Sequence, residues 1–281
     1  MMKLIKRILL MLSVLLTLAA VTLAYAYFIE PGRLVVTHTE LRIPNFDPAL
    51  DGLKVVAIAD IHGGSNRITE EKLRQLVVTA NAQNPDVIVL LGDYISEAKG
   101  KRGTLKMEVE TIAKNLEGFD ARLGVYGVIG NHDWWYNEKR VRAALESADI
   151  RVLENQTSVI DADGTPLTVW GIEDFWKHRK VPVEALPHDA RNIIAITHNP
   201  DSLLHSPPNI AVMLAGHSHG GQINFPVYGA KAFVNDPRFM YGHAAVDSKH
   251  VFVTSGIGTS ILPLRFRVPP EIAVVTLYSA N

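Results

Sequence analysis

The chain of 281 residues contains no cysteine. This excludes disulfide bridges, catalytic thiolates and thiolate metal ligands. The chain has nearly equal numbers of basic and acidic residues, with 28 Lys and Arg and 29 Asp and Glu. This balance argues against a nucleic-acid-binding surface. No internal repeat or low-complexity tract is visible, which excludes solenoid and fibrous architectures. The content of hydrophobic residues is 47%, enough for a large buried core.

A long uncharged apolar run occupies residues 8–28, and three basic residues lie within the seven positions before it. About 20 apolar residues span the hydrocarbon core of a bilayer, whereas the apolar core of a signal peptide has only about 7–15. We therefore expect residues 1–28 to form a membrane anchor. A cleaved signal peptide is the alternative, because Ala24-Tyr25-Ala26 is a small-x-small sequence of the kind that precedes a cleavage site.

The orientation of the anchor follows from the basic residues around it. They are denser before the apolar run than after it, where Arg33 and Arg42 are the nearest. Since cytoplasmic flanks are enriched in Lys and Arg, this asymmetry predicts a single-pass protein of the cell (inner) membrane with its domain on the non-cytoplasmic face. The asymmetry is slight, so the cytoplasmic face stays open as the alternative.

After the anchor we expect a linker over residues 29–53, which is interrupted by prolines, and then a single domain over residues 54–281. In the first half of the domain, short runs rich in Val and Ile alternate with amphipathic segments, which predicts βαβ units and a partly parallel sheet. After Arg151 the chain is rich in strand patterns, with a hairpin turn at Asp163-Gly164. The expected fold class is a two-sheet α/β sandwich.

Three amphipathic segments predict helices. Thr69 is a suitable N-cap for the first, which has Glu70 and Glu71 in its first turn. Apolar residues spaced three and four apart mark the buried faces: Leu73, Leu76, Val77 and Ala80 in the first segment, Leu105, Val109, Ile112, Ala113 and Leu116 in the second, and Val141, Ala144, Leu145 and Ala148 in the third.

Five polar motifs follow apolar runs that have the length and composition of buried strands. Side chains just beyond the carboxyl ends of strands lie where open α/β sheets bind their ligands, so the five motifs are expected to meet at one site. Five of the eleven histidines fall in them, which argues against chance. In chain order the motifs are Asp60-Ile61-His62, Gly92-Asp93, Gly130-Asn131-His132-Asp133, Thr197-His198 and Gly216-His217-Ser218-His219.

The residue types of the motifs predict a metal centre. Imidazoles, carboxylates and one amide oxygen, without thiolates, suit divalent ions such as Mn, Fe, Zn or Co. Asp60 and His62 are two residues apart, as are His217 and His219, so in extended chain each pair leaves the same face. The ligands are too many for one tetrahedral ion. Two ions ~3.5–4 Å apart that share a carboxylate would use them all and would suit attack on phosphorus.

In order and content the motifs resemble those of the calcineurin-like metallophosphoesterases, over roughly residues 52–279. The stretches 198–201, 216–223 and 255–272 look closest to the membrane-associated bacterial branch of that family. The resemblance implies a four-layer αββα sandwich of two mixed sheets and a metal-dependent phosphoric ester hydrolase.

The resemblance also implies a role for each motif residue. A hydroxide shared by two metal ions would attack phosphorus in line, and His132 would stabilise the transition state or protonate the leaving oxygen. Asp93 would bridge the two ions. The remaining ligands would be Asp60, His62 and His219 for one ion, and Asn131, His198 and His217 for the other.

One departure from the family's Ser/Thr protein phosphatases affects His132. Those enzymes have an Asp that orients the catalytic His, at the position where this chain has Ser96. A protein phosphatase is therefore not expected. What orients His132 stays open, with Asp133 and Glu97 as candidates.

The expected substrate is a phosphodiester or pyrophosphate of a phosphorylated small molecule or a lipid of the cell envelope, and no nucleic-acid partner is expected. One alternative is the UDP-2,3-diacylglucosamine pyrophosphatase of lipid A synthesis, which would need a site that faces the cytosol. An alternative of another class is an inactive, membrane-tethered binding module. Such modules usually lose ligands, whereas this chain keeps them all.

Three further segments have two interpretations each. The aromatic residues 134–136 would either form a wall of the substrate pocket or pack against the next helix. The segment 175–180 mixes aromatic and charged residues, as surface loops and membrane-contacting segments do. Residues 99–106 form a basic loop, which is either solvated or bound to an anionic group.

Overall fold

The computed structural model describes residues 2–98, 103–226, 228–232 and 234–280. Lys99, Lys101 and Arg102 of the basic loop lie outside these ranges. The α-helices are α1 (Met2–Phe28), α2 (Glu70–Asn81), α3 (Val109–Leu116) and α4 (Asn131–Ser147). The strands are β1 (Val35–Ile43), β2 (Leu53–Ile58), β3 (Val87–Leu90), β4 (Val125–Gly127), β5 (Arg151–Val152), β6 (Gln156–Ala162), β7 (Thr165–Ile172), β8 (Ile193–Thr197), β9 (Ile210–Ala215), β10 (Gly242–Val246), β11 (Lys249–Val253) and β12 (Glu271–Ser279).

The strands form two mixed six-stranded sheets, as the sequence predicted. The first has the order β1-β12-β2-β3-β4-β5, and the second β10-β11-β9-β8-β7-β6. Strands β2 to β5 are parallel to one another, as are β7, β8 and β9. Because β2, β3 and β4 run in one direction, their carboxyl ends share one edge of the first sheet, and those of β8 and β9 share one edge of the second.

Between the sheets lies a continuous apolar core, formed by residues such as Val55, Val89, Ile196 and Leu214. Helices α2, α3 and α4 cover the outer face of the first sheet. Their predicted apolar stripes are buried there, except for Leu105, which lies before α3 in an isolated bridge to Glu97 and is only partly buried. The Thr69 side chain caps α2 by accepting a hydrogen bond from the Lys72 N–H.

The outer face of the second sheet is covered differently. Its apolar side chains, including Trp170 and Met213, pack against Leu203 and Phe239, which belong to two short 3-10 helices. The fourth layer of the sandwich is therefore made of 3-10 turns and loops in the described part of the chain. A short 3-10 turn carries one or two apolar contacts and has no periodic stripe that the sequence could reveal.

Residues 29–53, expected as a linker, contain strand β1. It pairs in parallel with β12 from Val35 to Ile43 and forms the edge of the first sheet. Most of its residues are partly exposed, with polar residues such as Thr37 and Glu40 among them. An edge strand of this kind lacks the continuous apolar run that marked the central strands. This segment therefore belongs to the sheet and is not a free connection.

The apolar run at the amino terminus forms α1, one helix that is long and apolar enough to cross a membrane. Its side chains are almost all exposed, apart from Ala26 near its end. For most of its length this helix packs against none of the residues that the structure describes, and its outward-facing apolar side chains suit a membrane span.

Candidate metal centre

The five motifs meet where the two sheets face each other at the carboxyl ends of their strands. Asp60 and His62 follow β2, Asp93 follows β3, and His198 and the pair His217 and His219 follow β8 and β9. Asn131 and His132 begin α4 after β4. The structure therefore brings together all eight residues that the sequence singled out.

The backbone at this site is strained. Five of the motif residues adopt positive φ although none is glycine: Asp60 (52°), His62 (46°), Asp93 (57°), His217 (68°) and His219 (52°). Left-handed backbone costs an L-residue of the order of 1–3 kcal/mol and is enriched at functional sites, and five of the sixteen described non-glycine residues that adopt it lie in the motifs. The presence of five such residues in the motifs indicates that the orientation of their side chains is under functional constraint.

Glycines allow the motif loops to approach one another. A Cβ on Gly130 would overlap the amide nitrogen and the carboxylate of Asp93, and one on Gly216 would overlap the carboxylate of Asp60. Substitution at either position would therefore push a motif carboxylate out of place.

One cluster of possible ligand atoms involves Asp60, His62 and His219. The Nε2 atom of His219 lies 3.2 Å from Nε2 of His62 and 3.4 Å from Oδ1 of Asp60. All three residues are buried. Burial lowers the pKa of His62 to about 3, and it lowers the pKa of His219 well below its usual value. Both imidazoles are therefore neutral, which is the form that binds a metal ion.

The second cluster involves Asn131, His198 and His217. The Oδ1 atom of Asn131 lies 3.0 Å from Nε2 of His198 and 3.0 Å from Nδ1 of His217. The other ring nitrogen of His198, Nδ1, lies 2.8 Å from the carbonyl oxygen of Leu91, a contact that fixes the orientation of the ring.

Asp93 lies between the two clusters. Its Oδ2 atom is 3.6 Å from Nε2 of His62 in the first and 3.3 Å from Nε2 of His198 in the second. Its Oδ1 atom accepts a hydrogen bond of 2.8 Å from the backbone N–H of His132. One carboxylate oxygen thus faces both clusters, while the other joins Asp93 to the start of α4.

The donor set fits divalent ions. Ligands about 2.0–2.1 Å from a metal ion are roughly 2.8–3.0 Å apart in octahedral geometry and roughly 3.3–3.4 Å apart in tetrahedral geometry, close to the distances within each cluster. The charges also fit. Burial raises the pKa of Asp60 to about 7. Burial opposes ionisation of Asp93 too, yet the charges of His198 and His132 hold its pKa well below the usual range. Two buried carboxylates are stable in the charged form only beside compensating positive charge, which metal ions at this position would supply.

Asp133, a candidate for orienting His132, has a different role. Its carboxylate accepts hydrogen bonds of 2.8–3.2 Å from the backbone N–H groups of Asp93, Tyr94 and Ile95, and one of 2.9 Å from Gly130. It therefore holds the loop that carries Asp93 against the start of α4.

Glu97, the other candidate, accepts a hydrogen bond from the backbone N–H of Gly103. The described contacts of the His132 side chain involve neither Asp133 nor Glu97. Its ring packs edge-on against His62 and Trp135, at centroid distances of 5.0 and 5.2 Å. Its Nε2 atom lies 3.5 Å from Oγ of Ser260. Packing and Ser260 therefore orient this ring.

A cavity of about 410 Å³ opens onto the clusters, with His132, Asp93, Asn131, His217 and His219 in its wall. Trp135 and Trp176 stack on one side at a centroid distance of 6.0 Å, and Trp176 also packs edge-on against His217. Both interpretations of residues 134–136 thus hold, because Trp135 lines the cavity while Trp134 and Tyr136 pack beside the helical layer.

Two residues that support the site were not identified from the sequence as doing so. Gln222 hydrogen-bonds the backbone of Ser260 and Leu262, two residues of the cavity wall. The guanidinium of Arg265 is fully buried and donates hydrogen bonds to the carbonyl oxygens of Ser255, Gly256, Gly258 and Val268. An Arg between Leu264 and Phe266 in a proline-rich stretch was the available signal, since a buried Arg requires several partners.

Comparison with known proteins agrees with this geometry. Residues 53–221 match the model of the family described as calcineurin-like phosphoesterase. The chain is 29% identical to the uncharacterized metallophosphoesterase YkuE of Bacillus subtilis strain 168, over 92% of this chain and 90% of that protein. It is 28% identical to the phosphodiesterase YaeI of Escherichia coli K12, over 90% and 92% of the two chains.

A vertebrate protein is also similar. The transmembrane protein with metallophosphoesterase domain of Danio rerio is 28% identical over 87% of this chain and 57% of its own length. The family match spans more than half of the chain and includes all five motifs completely. The chain therefore belongs to the calcineurin-like phosphoesterase family and is a metal-dependent phosphoester hydrolase.

Proposed function

We propose that the protein is a membrane-anchored phosphodiesterase that holds two divalent metal ions at the edge of its two sheets. The observation that carries this proposal is the position of Asp93, whose Oδ2 atom faces a ring nitrogen of His62 on one side and of His198 on the other. A carboxylate oxygen between two ligand clusters is the arrangement that a two-ion centre needs.

The ligands divide according to the contacts of each cluster. Asp60, His62 and His219 would hold one ion. Asn131, His198 and His217 would hold the other, and Asp93 would serve both. The ions, when bound, supply a Lewis acid for the phosphoryl oxygens and a water of lowered pKa as nucleophile. Mn, Fe, Zn and Co all suit this donor set.

His132 would act on the substrate. Its backbone N–H is bound by Asp93, and its ring lies in the cavity wall beside His62, with a ring nitrogen within 4.8 Å of ligand atoms of His62 and Asp93. In that position its Nε2 atom can donate a proton to the leaving oxygen or a hydrogen bond to the phosphoryl group. Trp135 and Trp176 would cover one side of the substrate and limit its contact with water.

Helix α1 would place this centre at a membrane surface, as a single span of the cell (inner) membrane. The three basic residues before the apolar run favour a domain on the non-cytoplasmic face, where a diester of the envelope, from a lipid or a small molecule, is the available substrate. A UDP-diacylglucosamine pyrophosphatase would need the opposite orientation, because its nucleotide-linked substrate is cytosolic. Reporter fusions at each terminus distinguish the two orientations.

The test of the proposal measures metal content and turnover of the full chain in detergent. After removal of metal and reconstitution with Mn, elemental analysis should approach two ions per chain, and bis(p-nitrophenyl) phosphate should be hydrolysed. Parallel samples with Fe, Zn and Co identify the preferred ion. A plateau at one ion with full activity would overturn the shared role of Asp93. Bound ions without turnover of any diester would favour the inactive binding module.

A further inference from the structure

The last turn of α1 is fixed against the domain by hydrogen bonds to its backbone carbonyl oxygens. The carbonyl oxygen of Ala26 accepts one of 3.0 Å from the Arg265 N–H. Asn66 donates to the carbonyl oxygen of Tyr27 (2.8 Å), and Arg67 to that of Phe28 (2.8 Å). The direction of the anchor is therefore set by the domain, and so is the face that the domain turns toward the membrane.

An apolar groove of about 480 Å³ runs between α1 and the domain. From Ala19 to Ala26 the helix advances about 10 Å, so the groove follows roughly the last two turns of the anchor. This part of the helix belongs to the apolar run itself, so with α1 as the proposed membrane span the groove lies at the depth of the acyl chains. The lining residues are Ala19, Thr22, Leu23 and Ala26 of α1, and Ile223, Phe225, Pro226, Leu264 and Phe266 of the domain.

The groove and the metal-centre cavity are adjacent. Ile223 lines both, and Leu262 and Leu264 lie two residues apart in the walls of the cavity and the groove respectively. A molecule can thus contact the groove with one part and the metal centre with another. Lys231 also lines the cavity and provides a positive charge that suits a phosphate.

Large apolar side chains are exposed around these two openings. Ile261 is 80% exposed and Leu262 49% exposed at the cavity, and Phe225 is 51% exposed beside the groove. Tyr228, three residues further on, is 84% exposed. A cluster of exposed apolar and aromatic side chains next to a membrane helix is typical of a surface that enters the headgroup region of a bilayer.

We propose that the substrate is a glycerophospholipid of the membrane that holds α1, with an acyl chain in the groove and its phosphodiester at the metal centre. This inference rests on the phosphodiesterase function proposed above. In the reaction the oxygen of water bonds to phosphorus, one of the two ester P–O bonds breaks, and the departing alkoxide takes up a proton. The products are a phosphomonoester and an alcohol.

The groove is tested by filling it. Leu23→Trp adds bulk to the groove face of α1, whereas Val21→Trp adds similar bulk about 200° away around the helix and serves as the matched control. The full chain is reconstituted into nanodiscs of phosphatidylglycerol and phosphatidylethanolamine, and release of phosphomonoester lipid or headgroup is measured. Leu23→Trp should lower kcat/KM on these lipids by about tenfold, because binding energy remote from the reacting bond is lost.

The same variants are assayed with bis(p-nitrophenyl) phosphate, which has no acyl chain. Both should retain the wild-type rate on this ester, and Val21→Trp should also retain the rate on lipids. Equal lipid hydrolysis by Leu23→Trp and Val21→Trp would overturn the groove as the acyl site. Wild-type protein that cleaves the nitrophenyl ester but neither phospholipid would overturn the substrate class and leave the phosphodiesterase function standing.

A second measurement requires neither metal nor turnover. Phosphatidylglycerol with a diazirine in its acyl chain is photo-crosslinked to the metal-free protein in nanodiscs, and the labelled peptides are identified by mass spectrometry. Labels are expected on the peptides that contain Ile223 and Phe225 or Leu264 and Phe266, and Leu23→Trp but not Val21→Trp should reduce them. Labelling confined to α1 would contradict the proposal.

Discussion

Gln222 holds the backbone of Ser260 through both of its side-chain polar atoms. Its Oε1 atom accepts a hydrogen bond of 2.8 Å from the Ser260 N–H, and its Nε2 atom donates to the Ser260 carbonyl oxygen at 3.1 Å. The Oγ atom of Ser260 in turn lies 3.5 Å from Nε2 of His132. Gln222 is thus a positioning residue for the part of the cavity wall that faces the proposed catalytic histidine.

Substitution of Gln222 by Met keeps the length of the side chain and removes its hydrogen bonds. A hydrogen bond of this kind contributes about 0.5–1.5 kcal/mol, and the loss of three such bonds loosens the Ser260 segment, so we expect kcat for a diester to fall by about tenfold. The KM value and the metal content should change little, because neither ligand cluster is altered. Gln156→Met, at an exposed position of β6, is the control. A change in KM alone would contradict a positioning role.

Asp93→Asn should lower the content of both metal ions, because it weakens the one side chain that faces both clusters. His62→Ala should chiefly lower the occupancy of one ion. Titration with Mn followed by elemental analysis measures the two affinities, and Asp189→Asn, at an exposed position, controls for loss of charge. If Asp93→Asn and His62→Ala lost the same single ion, the shared role of Asp93 would be wrong.

His132→Ala should keep its full metal complement and lose kcat by about 10²–10⁴-fold, the usual contribution of general acid catalysis. The loss should be smaller for a nitrophenyl ester, whose leaving group departs without a proton, than for an alkyl ester. His38→Ala, at an exposed position of β1, is the control. An equal loss with both leaving groups would indicate that His132 stabilises phosphoryl charge instead, and loss of a metal ion would make it a ligand.

Full-length protein should stay with membranes after carbonate or high-salt washing, since burial of an apolar helix does not depend on ionic strength. A chain that begins at Ile29 keeps the buried Glu30 and Pro31 and should retain activity on bis(p-nitrophenyl) phosphate. This truncated chain should be released from membranes by carbonate washing. A mature protein that starts at Tyr27 would support the cleaved signal peptide.

Glu154 predicts a pH dependence of stability. Burial raises the pKa of its carboxyl to about 8, above the usual 4.5. Between these two pKa values the folded state keeps a proton that the unfolded state loses. The contribution of Glu154 to the free energy of unfolding is therefore complete below about pH 4.5 and is lost as the pH rises to about 8. The Tm of the wild type should decline over this range relative to that of Glu154→Gln. Glu117→Gln, at an exposed position, should follow the wild type.

The sequence determined the features that depend on local pattern. Apolar runs and periodic stripes fixed the central strands and the three domain helices, because burial on both faces of a strand or on one face of a helix leaves a period in the chain. The same holds for the hairpin turn at Asp163-Gly164, which joins β6 and β7 as expected. The candidate metal ligands were recognisable because each motif follows such a strand.

Tertiary structure decided what depends on contacts between distant residues. The edge strand β1 is formed by pairing with β12 at the other end of the chain, and the 3-10 layer exists only because the second sheet needs a cover. Gln222 supports Ser260, 38 residues away, and Arg265 joins the loop of residues 255–258, which packs against Asp60, to Ala26. The groove beside α1 has the same origin, since its walls come from segments about 200 residues apart. Partners at such separations leave no periodic trace in the sequence, and their association is fixed only when the chain folds.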